Sequence, residues 1–292
     1  MQHLKIRIWL ATYVTIISTM GLFAGDVQAQ AMPSEGHADL PGVRIWYNDT
    51  GGSGVPVVFL HAGTGSSRVW EYQIPAFTDA GYRFIAYDRR GWGRSVVDPS
   101  GPQPGTAADD LVHLMDHLGV DRFHIVATAA GGSVAWDFVL SFPQRVLSMV
   151  VANNTGRVED QQYRDLVNSL RPEAWEDLPA EFRELGPAYR AANPEGTRRW
   201  MQLESVSRPE GPLMDSQPLK TRLTFALMES VRTPVLVIAG GADLTAPAPL
   251  LRYFTERVSA AESLVVPDAG HSIYWEQPDV FNRAVLEFIG RW

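Results

Sequence analysis

Five short stretches of the chain are apolar at almost every position: residues 56–60, 84–87, 124–127, 147–152 and 235–239. Unbroken apolar runs of that length predict strands covered on both faces, as in a parallel sheet. Residues 43–48 alternate instead, which predicts an opening strand that turns at Asp49-Thr50-Gly51-Gly52, and residues 263–266 predict a shorter last strand. Helical spacing fills the gaps at 106–118, 134–142, 247–258 and 278–289. The first of these has Asp109 and Asp110 in its first turn and Gly119 just past its end, a start and a stop in the expected order. Strands alternating with helices predict an α/β fold: a doubly wound, mostly parallel sheet with helices on both faces.

The alternation stops between residues 154 and 230. No strand pattern occurs there, and helical stretches are cut by Pro172, Pro179, Pro187, Pro194, Pro209, Pro212 and Pro218. This segment predicts a helical cap inserted into a core formed by residues 32–153 and 231–292, with a small-molecule pocket between cap and sheet. Residues 1–31 read as a secretory signal peptide. Lys5 and Arg7 precede an apolar run over 8–25, and small-x-small sites at 27–29 and 29–31 place cleavage near 29–31. A membrane anchor is the rival reading, because the run is near the lower length limit for a span. Thr12, Thr15, Ser18 and Thr19 dilute it, and cleavage would leave an exported protein, periplasmic or secreted, with no stable membrane anchor.

Charge and composition narrow the partners. The formal net charge is −8, and no basic cluster stands out along the sequence, which argues against nucleic acid and anionic membrane surfaces and for a small-molecule substrate. There is no cysteine, hence neither a disulfide nor a thiolate nucleophile. No metal site is expected. His113 and His117 share a helix face at i, i+4, but Leu114 stands where H-E-x-x-H has its glutamate and no third ligand is evident, so a solvated helix face is expected. No cofactor motif is present either: Gly91-Trp92-Gly93 is a turn that opens no helix.

The chemistry-bearing residues lie at the ends of the predicted strands. Residues 123–132 run from a buried strand into a tight turn and a helix, with small Ala127 and Gly131 two positions either side of Ala129. That segment resembles the nucleophile elbow, G-x-S-x-G, of the α/β-hydrolase family. Three further motifs carry the same resemblance from about Val43 to the C-terminus. His61-Ala62-Gly63-Thr64-Gly65 is similar to the family's oxyanion loop, with Ala62 where Gly is usual, and Tyr87-Asp88-Arg89-Arg90-Gly91-Trp92-Gly93-Arg94-Ser95 to its D-x-R-G-x-G-x-S turn. Asp243, closing a strand, and His271, ahead of the last helix, complete the order nucleophile, acid, histidine. The resemblance implies a capped, single-domain hydrolase in which the backbone N–H groups of Gly63 and Ala130 face a developing oxyanion.

Other roles are open to several of these residues. Asp243 can instead cap the helix near Pro247, and Asp268 competes locally to orient His271. The family's other acid position holds Asn153 and Asn154, which cannot ionise. His61 is read as a ring that anchors the oxyanion loop beside the substrate, and Trp275 as either a pocket-edge residue or packing under the last helix. Thr128 and Ser133 are the only hydroxyls near the elbow. Thr128 is expected to point away and Ser133 to lie in the first helical turn.

Ala129 is the departure that matters. It excludes covalent esterase chemistry, and equally the dehalogenase and epoxide-hydrolase routes, which need a carboxylate there. Removing the serine from a triad costs on the order of 10⁶ in turnover, with roughly 10³–10⁴ over water remaining from the oxyanion site and binding. Three readings remain open: a His271–Asp243 dyad working as a general base on a small apolar or aromatic ester, lactone or β-dicarbonyl; a binding protein or pseudoenzyme; and a serine hydrolase whose nucleophile has been replaced.

Overall fold

The computed structural model describes residues 34–98, 100–101, 105–154, 156–208 and 217–292. Each apolar run forms a strand. The strands are β1 (Ser34–Leu40), β2 (Val43–Asp49), β3 (Pro56–Leu60), β4 (Arg83–Tyr87), β5 (Val96–Val97), β6 (Phe123–Thr128), β7 (Val146–Ala152), β8 (Val235–Gly240) and β9 (Ala261–Val266). They make one sheet in the order β1-β2-β4-β3-β6-β7-β8-β9, with β5 paired to β2. The pairs from β4 to β9 are parallel, while β2 runs antiparallel to β1, β4 and β5. β4, β6 and β8 are buried at every position, which is what their unbroken apolarity predicts.

The hydrophobic pattern gives no sign of β1. Its sequence, SEGHADL, buries only Ala38, and it is held as an edge strand by a seven-residue antiparallel register with β2. Backbone pairing sustains such a strand without an apolar face.

The helices outside the cap are α1 (Gln73–Asp79), α2 (Ala107–His117) and α3 (Ala130–Ser141), and those between β7 and β8 are α4 (Gln161–Leu170), α5 (Ala180–Glu184), α6 (Pro187–Ala192), α7 (Pro194–Ser205) and α8 (Phe225–Glu229). α9 (Pro249–Thr255), α10 (Ile273–Glu276) and α11 (Pro278–Ile289) follow. Two apolar layers sandwich the sheet. One gathers Leu111, Met115, Trp136 and Phe138 from α2 and α3; the other gathers Trp70, Phe77, Trp275 and Phe281. Thr106 caps α2 by accepting the Asp109 N–H.

Between β7 and β8 the described residues contain helices and no strand. This inserted segment is tied down at polar points. Asp137 of α3 accepts the backbone N–H groups of Lys220 and Thr221, and Gln217 donates to Asp110, which also pairs with buried Arg90. The signal-peptide expectation for residues 1–31 falls outside the described residues. Among those described, no helix is long and apolar enough to cross a membrane.

Candidate active site at the strand ends

β6 delivers Ala129 into a turn with φ 47° and ψ −120°, a backbone conformation that L-residues seldom adopt. Holding it costs on the order of 1–3 kcal/mol, supplied by the surrounding structure. The Ala129 N–H donates to the Ala152 carbonyl at 2.9 Å, and its own carbonyl accepts from Gly132 N–H and the Asn154 amide. Gly131 shows how close the backbones pass: a Cβ there would lie 2.4 Å from the Leu60 carbonyl oxygen. α3 begins at Ala130, four residues before its periodicity becomes visible in the sequence. A methyl group therefore occupies the point of a strained elbow.

Two loops on the neighbouring strands bring an acid and a base together. His271 Nδ1 lies 2.8 Å from Asp243 Oδ2, and both side chains are buried. Asp243 Oδ1 accepts the N–H groups of Thr245 and Ala246, while Oδ2 also accepts the Asn153 amide at 2.7 Å. Burial works against the Asp243 charge, yet His271 and these donors hold its carboxyl below the usual range. Burial likewise pulls His271 down, but the Asp243 and Glu184 carboxylates outweigh it and raise the imidazole to about 9. Asp268 stands exposed with φ 60° and does not orient the ring.

The loop after β3 supplies the third element. His61 is fully buried and donates from Nδ1 to the Ala62 carbonyl, while Nε2 accepts the Arg89 N–H. Burial, helped by Arg89, pushes His61 down to about 3, so the ring is neutral and acts as a fixed spacer. The Ala62 carbonyl also accepts from Gly65 N–H and from Arg89 Nη2, which holds the loop despite the extra methyl. Gly63 lies against the start of α3, with 3.8 Å from its notional Cβ to that of Ala130. As the first residue of α3, Ala130 has an N–H with no intrahelical acceptor. Gly63, Ala129, Ala130 and His271 all line one cavity of about 440 Å³.

An oxyanion loop, a strained elbow, a carboxylate and a histidine, each following a strand of one sheet and in this order along the chain, go with one family. Residues 55–278 match the family described as alpha/beta hydrolase fold. The chain belongs to the α/β-hydrolase fold family. Among its relatives in this family is the protein named "Putative carbamate hydrolase RutD" from Caulobacter sp. (strain K31), 32% identical over 248 residues, which span 80% of this chain and 90% of that one. The 2-hydroxy-6-oxononadienedioate/2-hydroxy-6-oxononatrienedioate hydrolase of Burkholderia vietnamiensis (strain G4 / LMG 22486) is 27% identical over 281 residues, 85% of this chain and 92% of that one. A thermophilic esterase from Thermogutta terrifontis, solved with malate bound, superposes with a TM-score of 0.72 at 25% identity and covers 89% of this chain and 99% of its own.

Within this hydrolase fold, some of the residues expected from sequence lie away from the cavity. Trp275 is 1% exposed and packs in the core, its Nε1 donating to the Gly196 carbonyl; the turn of α10 carries it inward, so it is no pocket-edge residue. His61 does not line the cavity either; its ring nitrogens are taken up by the Ala62 carbonyl and by the Arg89 N–H in the turn after β4. Thr128 is fully buried, while Ser133 lines the cavity and accepts weakly from Asn154 at 3.4 Å.

Sequence reasoning missed other residues that shape the site. Asn153, with φ 49°, stands at the family's alternative acid position, where it cannot ionise, and its amide clamps Asp243. Glu184, from α5, is 8% exposed, lines the cavity and has an unpartnered Oε2. Its carbonyl accepts the N–H of Ser272, next to His271, and Gly186 N–H donates to Glu276, which also accepts Gly270 N–H. These bonds fasten the inserted segment to the histidine loop. Burial pushes Glu184 above the usual carboxylate range and takes Glu276 up to about 7.

Proposed function

We propose that this α/β-hydrolase cleaves a small carbonyl compound with an apolar or aromatic body (an ester, a lactone or a β-dicarbonyl) without a serine nucleophile. The observation that carries the proposal is the buried His271–Asp243 pair beside a cavity where Ala129 leaves room for water. Its relatives' names, carbamate hydrolase, oxononadienedioate hydrolase and esterase, describe hydrolysis at carbonyl carbons and support that class.

In this scheme the neutral form of His271 takes a proton from water at Nε2 as the water oxygen attacks the carbonyl carbon. The carbonyl π electrons move to oxygen, toward the Gly63 and Ala130 N–H groups. Collapse of the tetrahedral adduct breaks the bond to the leaving group, which departs with the proton from Nε2. Asp243 keeps the proton on Nδ1 and stabilises the imidazolium formed in between. The chain is proposed to act after export, in the periplasm or outside the cell, and it needs no metal or cofactor in this scheme.

One observation favours a second reading. Ala129 keeps the strained geometry that positions a nucleophile, although a methyl group gains nothing from it. A serine hydrolase whose serine has been replaced would retain such strain.

The test compares wild type, His271→Ala and Ala129→Ser on aryl esters, lactones and β-diketones. Wild-type turnover that disappears in His271→Ala supports the dyad. A silent wild type beside an Ala129→Ser variant that hydrolyses aryl esters and takes a fluorophosphonate label supports the replaced serine instead.

A further inference from the structure

Three arginines cluster in the turn after β4, and one of them has no carboxylate partner. Arg90 meets Asp110 through Nε at 2.9 Å and Nη2 at 2.7 Å, and Arg94 meets Asp88 at 3.1 Å. Arg89 is only 8% exposed, yet among the described residues its one side-chain hydrogen bond runs from Nη2 to the Ala62 carbonyl at 3.2 Å. Its Nε has no acceptor, and the Trp92 ring covers one guanidinium face at 4.6 Å. A buried cation without a counter-charge is strongly unfavourable, and burial already depresses Arg89 to about 10. Arg89 lines the same cavity as His271.

Arg157, Arg183 and Arg208 line that cavity too, all three from the segment between β7 and β8. Their protein partners are modest. Arg157 donates to the Gln217 carbonyl, Arg183 lies 5.2 Å from the Trp175 ring, and Arg208 stands 3.8 Å from Glu204. Against these, Glu184 is the one carboxylate among the described lining residues. A chain of net charge −8 thus presents a cationic pocket.

We propose that the pocket takes a carbonyl compound that carries a carboxylate, with Arg89 as its deep anchor and Arg157, Arg183 and Arg208 around it. The carbonyl part rests on the function proposed above; the carboxylate part rests on the arginines alone. With Nη2 donating to the Ala62 carbonyl and Nε closed off from the cavity, Nη1 is the guanidinium nitrogen of Arg89 left to meet a carboxylate oxygen. Trp92 and Trp175 supply apolar walls for the rest of the molecule. An inward field of this sign also draws anions to the mouth, so association should slow as salt is added.

Binding tests the carboxylate site without requiring turnover. Adipate, its neutral isostere adipamide and inorganic phosphate are titrated calorimetrically into wild type, Arg89→Gln, Arg157→Gln and His271→Ala. The expected result is saturable adipate binding in wild type and in His271→Ala, at least tenfold weaker in Arg89→Gln, several-fold weaker in Arg157→Gln and in 0.5 M salt, with adipamide at least tenfold weaker than adipate. Arg157 is exposed, so its variant reports even if Arg89→Gln folds poorly. Equal affinity for adipate and adipamide, an adipate affinity unchanged in both arginine variants, or phosphate binding tighter than adipate would overturn the proposal. Adipate binding that survives His271→Ala while no substrate turns over would leave the carboxylate site standing and remove the dyad instead.

Discussion

Raising the pH from 7 to 9 should increase kcat about fifty-fold if His271 is the base. The two carboxylates beside the imidazole hold it at about 9, so the form able to accept a proton is about 1% of the enzyme at pH 7 and about half at pH 9. Below pH 8 the rate should climb close to tenfold per unit, then level above 9. Glu184→Gln separates this cause from any other. It removes one of the two charges that raise the ring and leaves the Asp243 bond in place, so the midpoint should move down and the rate at pH 7 should rise. The assay is initial rate against pH on the best substrate, with His271→Ala subtracted as the blank at each pH. A profile flat from pH 6 to 9, or a Glu184→Gln midpoint equal to that of wild type, would refute the reasoning.

Other outcomes follow from the same geometry. The raised pKa of His271 means that the folded state binds its proton more tightly than the unfolded chain; the resulting stabilisation, about 3 kcal/mol, is full below pH 6.5 and is lost as pH rises through about 9. Thermal melts should therefore show wild type falling toward His271→Ala across that window, and a constant gap between the two would count against the shift. Gly131→Ala places a Cβ against the Leu60 and His61 backbone and should cost about 1–3 kcal/mol or more, whereas Gly63→Ala, whose nearest contact is 3.8 Å away, should leave the melting temperature nearly unchanged. Mass spectrometry of exported protein should find an N-terminus near Gln30 or Met32, and an intact Met1 would favour the anchor over cleavage.

What the chain reveals before folding depends on whether a residue's role is set locally or by what it meets. β3, β4, β6 and β8 are legible because burial on both faces demands unbroken apolarity, and the elbow is legible because strand and helix touch only across small side chains such as Ala127 and Gly131. β1 escapes because an edge strand is sustained by backbone pairing to β2, which leaves no hydrophobic signature. Trp275, four residues after His271, fits a pocket edge or packing under the last helix equally well by spacing alone, and the turn of α10 decides it by rotating the ring into the core. Glu184 is one acid among several in its sequence neighbourhood until α5 docks on the histidine loop and buries it.

The charge of the pocket is the clearest case. Arg89, Arg157, Arg183 and Arg208 are dispersed along an acidic chain with no basic run, and only the closing of the inserted segment over the sheet brings them together. Two of the cavity's features then carry opposite information. Ala129 says what the site cannot do, since no covalent acyl intermediate can form on a methyl group. The unpaired Arg89 says what the site still needs, a counter-charge that the described chain does not supply. A cavity with nothing to bind would have little reason to keep a buried cation without a counter-charge beside the clamped His271–Asp243 pair, since burying that cation costs free energy in the empty protein. The combination is better explained by a bound anion whose carbonyl is presented to His271.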